Sequence, residues 1–406
     1  MARSSEGNSF TMVDWSSLPQ ELVICIASRI ALMEDFVAFG AVCKSWRWAA
    51  TKENFTSRLT YQVPFLMLPN PKPDDAFREF YSLTKDKIHK LHLPEAKGKV
   101  CCSSLGWLIT LRGLEFRLLH PLDHAHIKLP KPNFSPQIMS YFHWVKKIVL
   151  SSSPSWTSDY TIMVLYDGNS LTFCKPRQDK CWTRIVLDVH PLDITYYKGR
   201  LYAVTFGGMV LVCNTEDPKQ PKTRVVVPEI PIVVKHRSPD RKLYVVESAG
   251  DLLVVFSVQE MDNLPLQRPY QTTHREWLFS SQKEYRTTHR QFKVFKVPLS
   301  GGSWRLESEV KKLGNRSLFV GDNNSSFSVE ASNYLGCKAN CIYYYSYTFR
   351  EVDREGLSPL NGNIEMGVFN LEDGSTEQHF GFPNFALERA NFPSAGTPCA
   401  WIQPSF

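Results

Sequence analysis

The sequence predicts an α+β multidomain chain: a small all-α unit of three helices, then an all-β, propeller-like domain of six or seven irregular blades. Three observations carry this reading. Helical periodicity is confined to residues 18–50. From Pro64 onward, strand-like runs recur in pairs around turn residues. One strand pattern returns at 106–111, 199–204 and 241–246. Units recur about every 45–50 residues with one large insertion, a period that fits four-stranded blades. A large β-sandwich is the competing arrangement.

The helical unit is read from its spacing. Pro19 suits a first helical position, where its missing N–H costs nothing. Glu21 follows near the positive end of the helix dipole. Leu22, Ile26 and Ile30 fall four apart with Val23 and Ala27 beside them, one apolar stripe on a short helix. Glu34 and Asp35 mark a new helix start. Phe36, Phe39, Val42, Cys43, Trp46 and Ala50 continue at helical spacing, interrupted by Gly40. A unit of this size buries little surface and holds more large apolar side chains than its own core can cover. Either it packs on the rest of the chain or its surplus face belongs to a partner.

The ordered set Trp15, Leu18-Pro19, Glu21-Leu22, Ile26, Arg29, Asp35, Phe39, Val42-Cys43-Lys44 and Trp46-Arg47 resembles an F-box over residues 14–55. That resemblance implies a three-helix module binding the Skp-type adaptor and, through it, the cullin of an SCF-type ubiquitin ligase. It also implies the contact residues: Leu18, Pro19, Leu22, Ile26, Val42, Cys43 and Trp46. Gly40-Ala41 departs from the family pattern, with a helicity cost of up to about 1 kcal/mol.

Residues 1–13 read as a disordered lead and 56–63 as a connector. The β-domain is expected over 64–403. Hairpins are predicted for 106–120, 160–174 around Asp167-Gly168-Asn169, 199–214 around Gly207-Gly208, and 242–258 around Gly250-Asp251. Residues 317–320 and 341–347 are expected to bracket a fifth hairpin, and 364–380 a sixth. The segment 399–402 is expected to complete a first or last blade. Phe80-Tyr81-Ser82-Leu83, Leu91-His92-Leu93-Pro94, residues 102–108, His120-Pro121-Leu122, residues 198–202 and Trp401 resemble the kelch-related domain of unknown function in a large group of plant F-box proteins. The resemblance implies a substrate-recruiting domain without catalytic activity.

Composition excludes several classes. A hydrophobic content of 43% argues for packed cores rather than general disorder. The net charge of +7 is too small for this length to indicate nucleic acid by itself. Ten cysteines show no disulfide-framework spacing, and no apolar run reaches the ~18–20 residues of a membrane span. Residues 1–10 lack a signal-peptide core. A reducing compartment, nucleus or cytoplasm, is the expectation, with no membrane partner.

The excess charge concentrates in a basic insertion, residues 259–296. Over 267–296, seven cations face two acids, with Tyr270, Trp277, Phe279 and Tyr285 interleaved. The first reading is a solvated loop between blade strands. The second is a surface for an acidic or phosphorylated partner segment through Arg268, Arg275, Arg286, Arg290 and Lys293. Nucleic acid is the third; a propeller scaffold or nucleic-acid-binding protein is accordingly the alternative to a ligase subunit.

Nothing else reads as chemistry. His120, His124 and His126 sit around Asp123 on a strand-to-turn segment that points them apart, so no metal site is assigned. Cys337 and Cys341 lack a second pair. No phosphate loop or nucleophile elbow is present. A catalytic propeller would need two or three carboxylates at its channel, and no such set is recognisable. The expectation is an adaptor with no catalytic residues, no cofactor and an unidentified protein target.

Overall fold

The computed structural model describes residues 14–30, 33–51, 54, 63–69, 75–113, 115–131, 145–166, 170–215, 222–230, 241–261, 287–301, 303–322, 324–349, 360–387 and 399–403. The expected lead 1–13 and most of the expected connector lie outside the described residues. The chain divides into two compact units, the second spanning Val63–Ser405.

In the helical unit, Asp14 opens the chain as a cap, its carboxylate accepting from the Ser16 N–H at 3.0 Å over the turn Trp15–Ser17. Helix α1 is Gln20–Ala27, α2 is Met33–Ala41 and α3 is Lys44–Ala49. Pro19 stands at the cap of α1 rather than inside it, with ψ at 140° and its carbonyl accepting from Leu22 and Val23. Val23, Ala27, Phe36, Phe39 and Ala49 form the buried set. Trp46 leans on Phe39 at 4.7 Å between ring centroids and donates from Nε1 to the Trp15 carbonyl at 3.1 Å.

The second unit is a propeller of six sheets. Blade 1 joins Phe65–Met67, Phe77–Ser82 and Lys87–His92 to the C-terminal strand Ala400–Ile402. Blade 2 is Val100–Ser104, Trp107–Arg112, Glu115–Leu119 and His126–Lys128. Blade 3 is Val145–Leu150, Ile162–Tyr166, Ser170–Cys174 and Thr183–Val186. Blade 4 is Pro191–Tyr197, Arg200–Thr205, Val210–Asn214 and Lys222–Val227. Blade 5 is Lys242–Ser248, Asp251–Met261, Thr287–Lys296 and Glu309–Val310. Apolar clusters fill the spaces between neighbouring blades, for example Ile109 and Leu118 of blade 2 with Ile148 and Ile162 of blade 3. That is why most inner strands bury both faces and read as continuous apolar runs.

Ring closure follows the expectation for 399–402. Leu66 pairs with Trp401 and Phe65 with Ile402, so first and last strands share a blade and the edge disappears.

Blade 6 corrects one expectation. Arg316–Val320 and Cys341–Phe349 are neighbours, but they run parallel, so they do not form a hairpin. After Val320 the chain instead returns antiparallel as Phe327–Glu330, then crosses over to Cys341, giving a five-stranded blade completed by Leu360–Asn370 and Thr376–Leu387. Gly321 is required at the turn because a Cβ there would lie 2.1 Å from the Tyr345 ring. The interruption in blade 5 is also shorter than 259–296. Residues up to Met261 and from Thr287 onward pair in one long hairpin, leaving 262–286 outside the described residues.

Candidate functional site

The helical unit leaves an apolar set uncovered. In α1, Val23 and Ala27 are fully buried, whereas Leu22 is 51% exposed and Ile26 38%. The stripe seen in the sequence therefore splits: one helical row builds the small core and the adjacent row faces outward. Val42 is 57% exposed at the start of the α2–α3 connection, and Pro19 is exposed beside a half-buried Leu18. Cys43 is half-buried at the cap of α3. Trp46 is half-buried too and serves the unit's own packing through Phe39 and Trp15. Trp15 and Trp48, not among the expected contacts, are 58% and 63% exposed. Trp48 follows Trp46 by two on a helix, a spacing that places it on a different side, which is the signal that could have flagged it.

Gly40 acquires a role here. A Cβ at this position would stand 3.0 Å from the Ala50 Cβ, so glycine lets α2 and α3 approach. Gly40→Val is expected to destabilise the helical unit by about 1–3 kcal/mol through overpacking, read as a lower helical melting transition with the β-domain transition unchanged.

The centre of the propeller holds a polar network. Lys147 of blade 3 pairs with Asp193 of blade 4, both almost wholly buried. Asp193 also accepts from the backbone N–H of Ile194 at 2.8 Å and of Val245 at 2.9 Å. Lys242 of blade 5 pairs with Asp322 on the blade 6 turn. The residues beside it contact blades 2 and 3 as well as blade 6 itself. Lys147 Nζ donates to Ser326 Oγ at 3.2 Å, Ser325 N donates to the Ser103 carbonyl at 2.9 Å, and Tyr345 OH donates to Asn324 Oδ1 at 3.0 Å. Burial pushes the Asp193 carboxyl up, against the pull of Lys147 and the two N–H donors. For Asp322 burial acts the same way, but Lys242, with Lys147 and Arg290, outweighs it and holds the carboxyl below its ordinary value.

Two carboxylates thus stand where a catalytic propeller would need them, and neither was recognisable as a pair in the sequence. Asp193 is one acid in an apolar strand and Asp322 one turn residue. Each is engaged by a lysine, Asp193 by Lys147 and Asp322 by Lys242. Each carboxylate therefore sits in an ion pair, Asp193 in a buried one and Asp322 in a partly exposed one.

Of the basic residues assigned to an acidic partner, Arg268, Arg275 and Arg286 lie outside the described residues. Arg290 corrects the expectation: it is 4% exposed, donates from Nη1 to Ser257 Oγ at 3.1 Å, and lies over the Tyr344 ring at 6.0 Å. Its place in the ladder of blade 5 puts the guanidinium inside rather than on a loop. Lys293 is half-buried in the same strand. Around Asp123, His120 Nδ1 lies 3.0 Å from the Asp123 carboxylate, while His124 Nδ1 turns to Glu95 at 3.2 Å. His120 and His124 take separate acid partners, and no group of three or more metal-ligating side chains converges among the described residues. No described helix is long and apolar enough to cross a membrane.

Comparison with known proteins agrees with both units. A family model described as the KIB1-4 beta-propeller matches residues 80–370. A protein of Arabidopsis thaliana named as F-box protein At3g25750 is 28% identical over 398 residues, 90% of this chain and 93% of its own length. F-box protein SKIP23 of the same plant is 25% identical over 412 residues, 92% and 93% of the two chains. F-box protein At2g26160 is 24% identical over 375 residues, 85% of this chain and 99% of its own. The three N-terminal helices are consistent with a small F-box.

Proposed function

Because the chain belongs to the KIB1-4 β-propeller family, and its relatives are named F-box proteins, we propose that it is the substrate-recognition subunit of an SCF-type cullin–RING ubiquitin ligase. The helical unit, residues 14–55, docks on a Skp-type adaptor. The propeller captures a protein target in the nucleus or cytoplasm. The chain performs no covalent step. It raises the effective concentration of target lysines at the conjugating machinery.

One observation carries the reading. Leu22, Ile26 and Val42 stay exposed beside a helical core that Val23, Ala27, Phe36 and Phe39 already fill. Large apolar side chains left out in this way supply the anchors of a helix-in-groove or helix-face interface. Trp46, by its contacts, positions the face rather than forming its centre.

The test is a double substitution, Leu18→Ala with Pro19→Ala, followed by adaptor pull-down. Loss of two anchor contacts is expected to weaken adaptor binding by roughly 10- to 100-fold, about 1.4–2.8 kcal/mol. The β-domain melting transition should not move. Undiminished binding would sink the adaptor assignment.

A further inference from the structure

Blade 2 carries a second polar feature, on the face turned away from the apolar cluster it shares with blade 3. Cross-strand register places Cys101, Thr110, Arg117 and Lys128 in one row. Arg117 and Lys128 are therefore direct neighbours on adjacent strands, and like charges in that position repel. Arg112 and Glu115 are opposite one another in the next row on the same face. Arg112 and Lys128 are exposed. Arg117 is 37% exposed and reaches Glu115 only at 3.5 Å, while its Nε is buried without a hydrogen-bond partner. Lys99 is close enough for burial, then the charge of Arg117, to lower its ammonium pKa. Among the described residues, the rows of this face thus set Arg112, Arg117 and Lys128 against one carboxylate, Glu115.

Such a row costs folding free energy when nothing negative lies against it. We infer that this face of blade 2 binds an extended acidic segment of a partner protein, with Arg112, Arg117 and Lys128 as its contacts. Spacing favours an extended peptide. Alternate side chains of a β-strand lie about 6.6 Å apart and neighbouring strands about 4.8 Å apart, so carboxylates at every second residue can meet Arg112 and Arg117 in turn, with Lys128 beside them. No aromatic side chain shares the rows that carry these cations, so the base stacking of a single-stranded nucleic acid finds no platform. The inference rests on the propeller's being the target-binding part, but its test does not pass through the adaptor. A failed adaptor pull-down would leave it standing.

The experiment uses the full chain, a labelled poly-glutamate peptide, an equal-length glutamine peptide and an RNA oligonucleotide, at low salt. Glutamate peptide should bind and glutamine peptide should not. Lys128→Met and Arg112→Gln should each weaken binding tenfold or more, and Lys128→Glu should remove it. The second readout separates a binding row from a structural one: without peptide, Lys128→Met should melt at or above the parent temperature, because it removes a repulsion. A Lys128→Met chain that melts lower and still binds the peptide overturns the inference. So does absence of peptide binding to the parent chain, or RNA displacing the peptide through the same residues.

Discussion

Trp401→Ala is expected to destabilise the propeller by about 3–5 kcal/mol, the range for truncating a fully buried large aromatic. Trp401 is 1% exposed and belongs to the cluster that joins blades 1 and 6, packing edge-on to Phe319 at 5.2 Å and perpendicular to Tyr343. Its Nε1–H donates to the Val320 carbonyl at 3.1 Å. Its own carbonyl accepts from Ser103 Oγ of blade 2. The strand it sits on pairs with Leu66 and closes the ring, so truncation loosens the one place where the sheet circle depends on the two ends of the domain meeting. Trp401→Phe separates the contributions. It keeps most of the apolar contact and loses the N–H donor, for an expected cost of about 1–3 kcal/mol. Chemical denaturation followed by near-ultraviolet dichroism checks both. A Trp401→Ala chain within about 0.5 kcal/mol of the parent, the range of an ordinary surface change, would show that closure does not depend on this strand.

The second large effect lies at the channel. Asp193→Asn is expected to cost about 3–5 kcal/mol, because it leaves the Lys147 ammonium buried opposite a neutral amide. The pair is 2% and 1% exposed at its side chains, so water cannot compensate the orphaned charge. The loss comes from stranding one partner, not from a large net value of the pair. Asn retains an acceptor for the Val245 N–H, so adding Lys147→Met should recover most of the stability. A double-mutant cycle reads this directly. If the double variant is as unstable as the sum of the two single ones, the ion pair is not the source of the effect.

The order of elements was legible because it is written in local patterns. Alternation around Gly and Asp turns marks the hairpins at 106–120, 199–214 and 242–258, and each pairs in the structure. The segment 399–402 reads as a closing strand because propellers close by pairing their chain ends, and it pairs with Phe65–Met67. The crossover in blade 6 was not legible. A parallel neighbour and an antiparallel one present the same alternation, and only the pairing itself, Ser317 with Cys341 through Val320 with Tyr344 in the same direction, distinguishes them. Arg290 was misplaced through composition. In a basic stretch every cation looks solvated, and one strand position aimed between blades 5 and 6 is enough to bury its head group.

By itself, the sequence determined that a short helical unit precedes a closed β-domain and which residues make the helical face apolar, since periodicity depends only on near neighbours. Tertiary structure decided which apolar row stays outside, with Val23 and Ala27 taken inward and Leu22 and Ile26 left over. It also decided that Lys147, Asp193, Lys242 and Asp322 meet at the centre, and that Arg117 and Lys128 stand opposite each other on the rim. Those are relations between strands far apart in the chain. Their energies depend on distance and burial, which no local pattern of residues encodes.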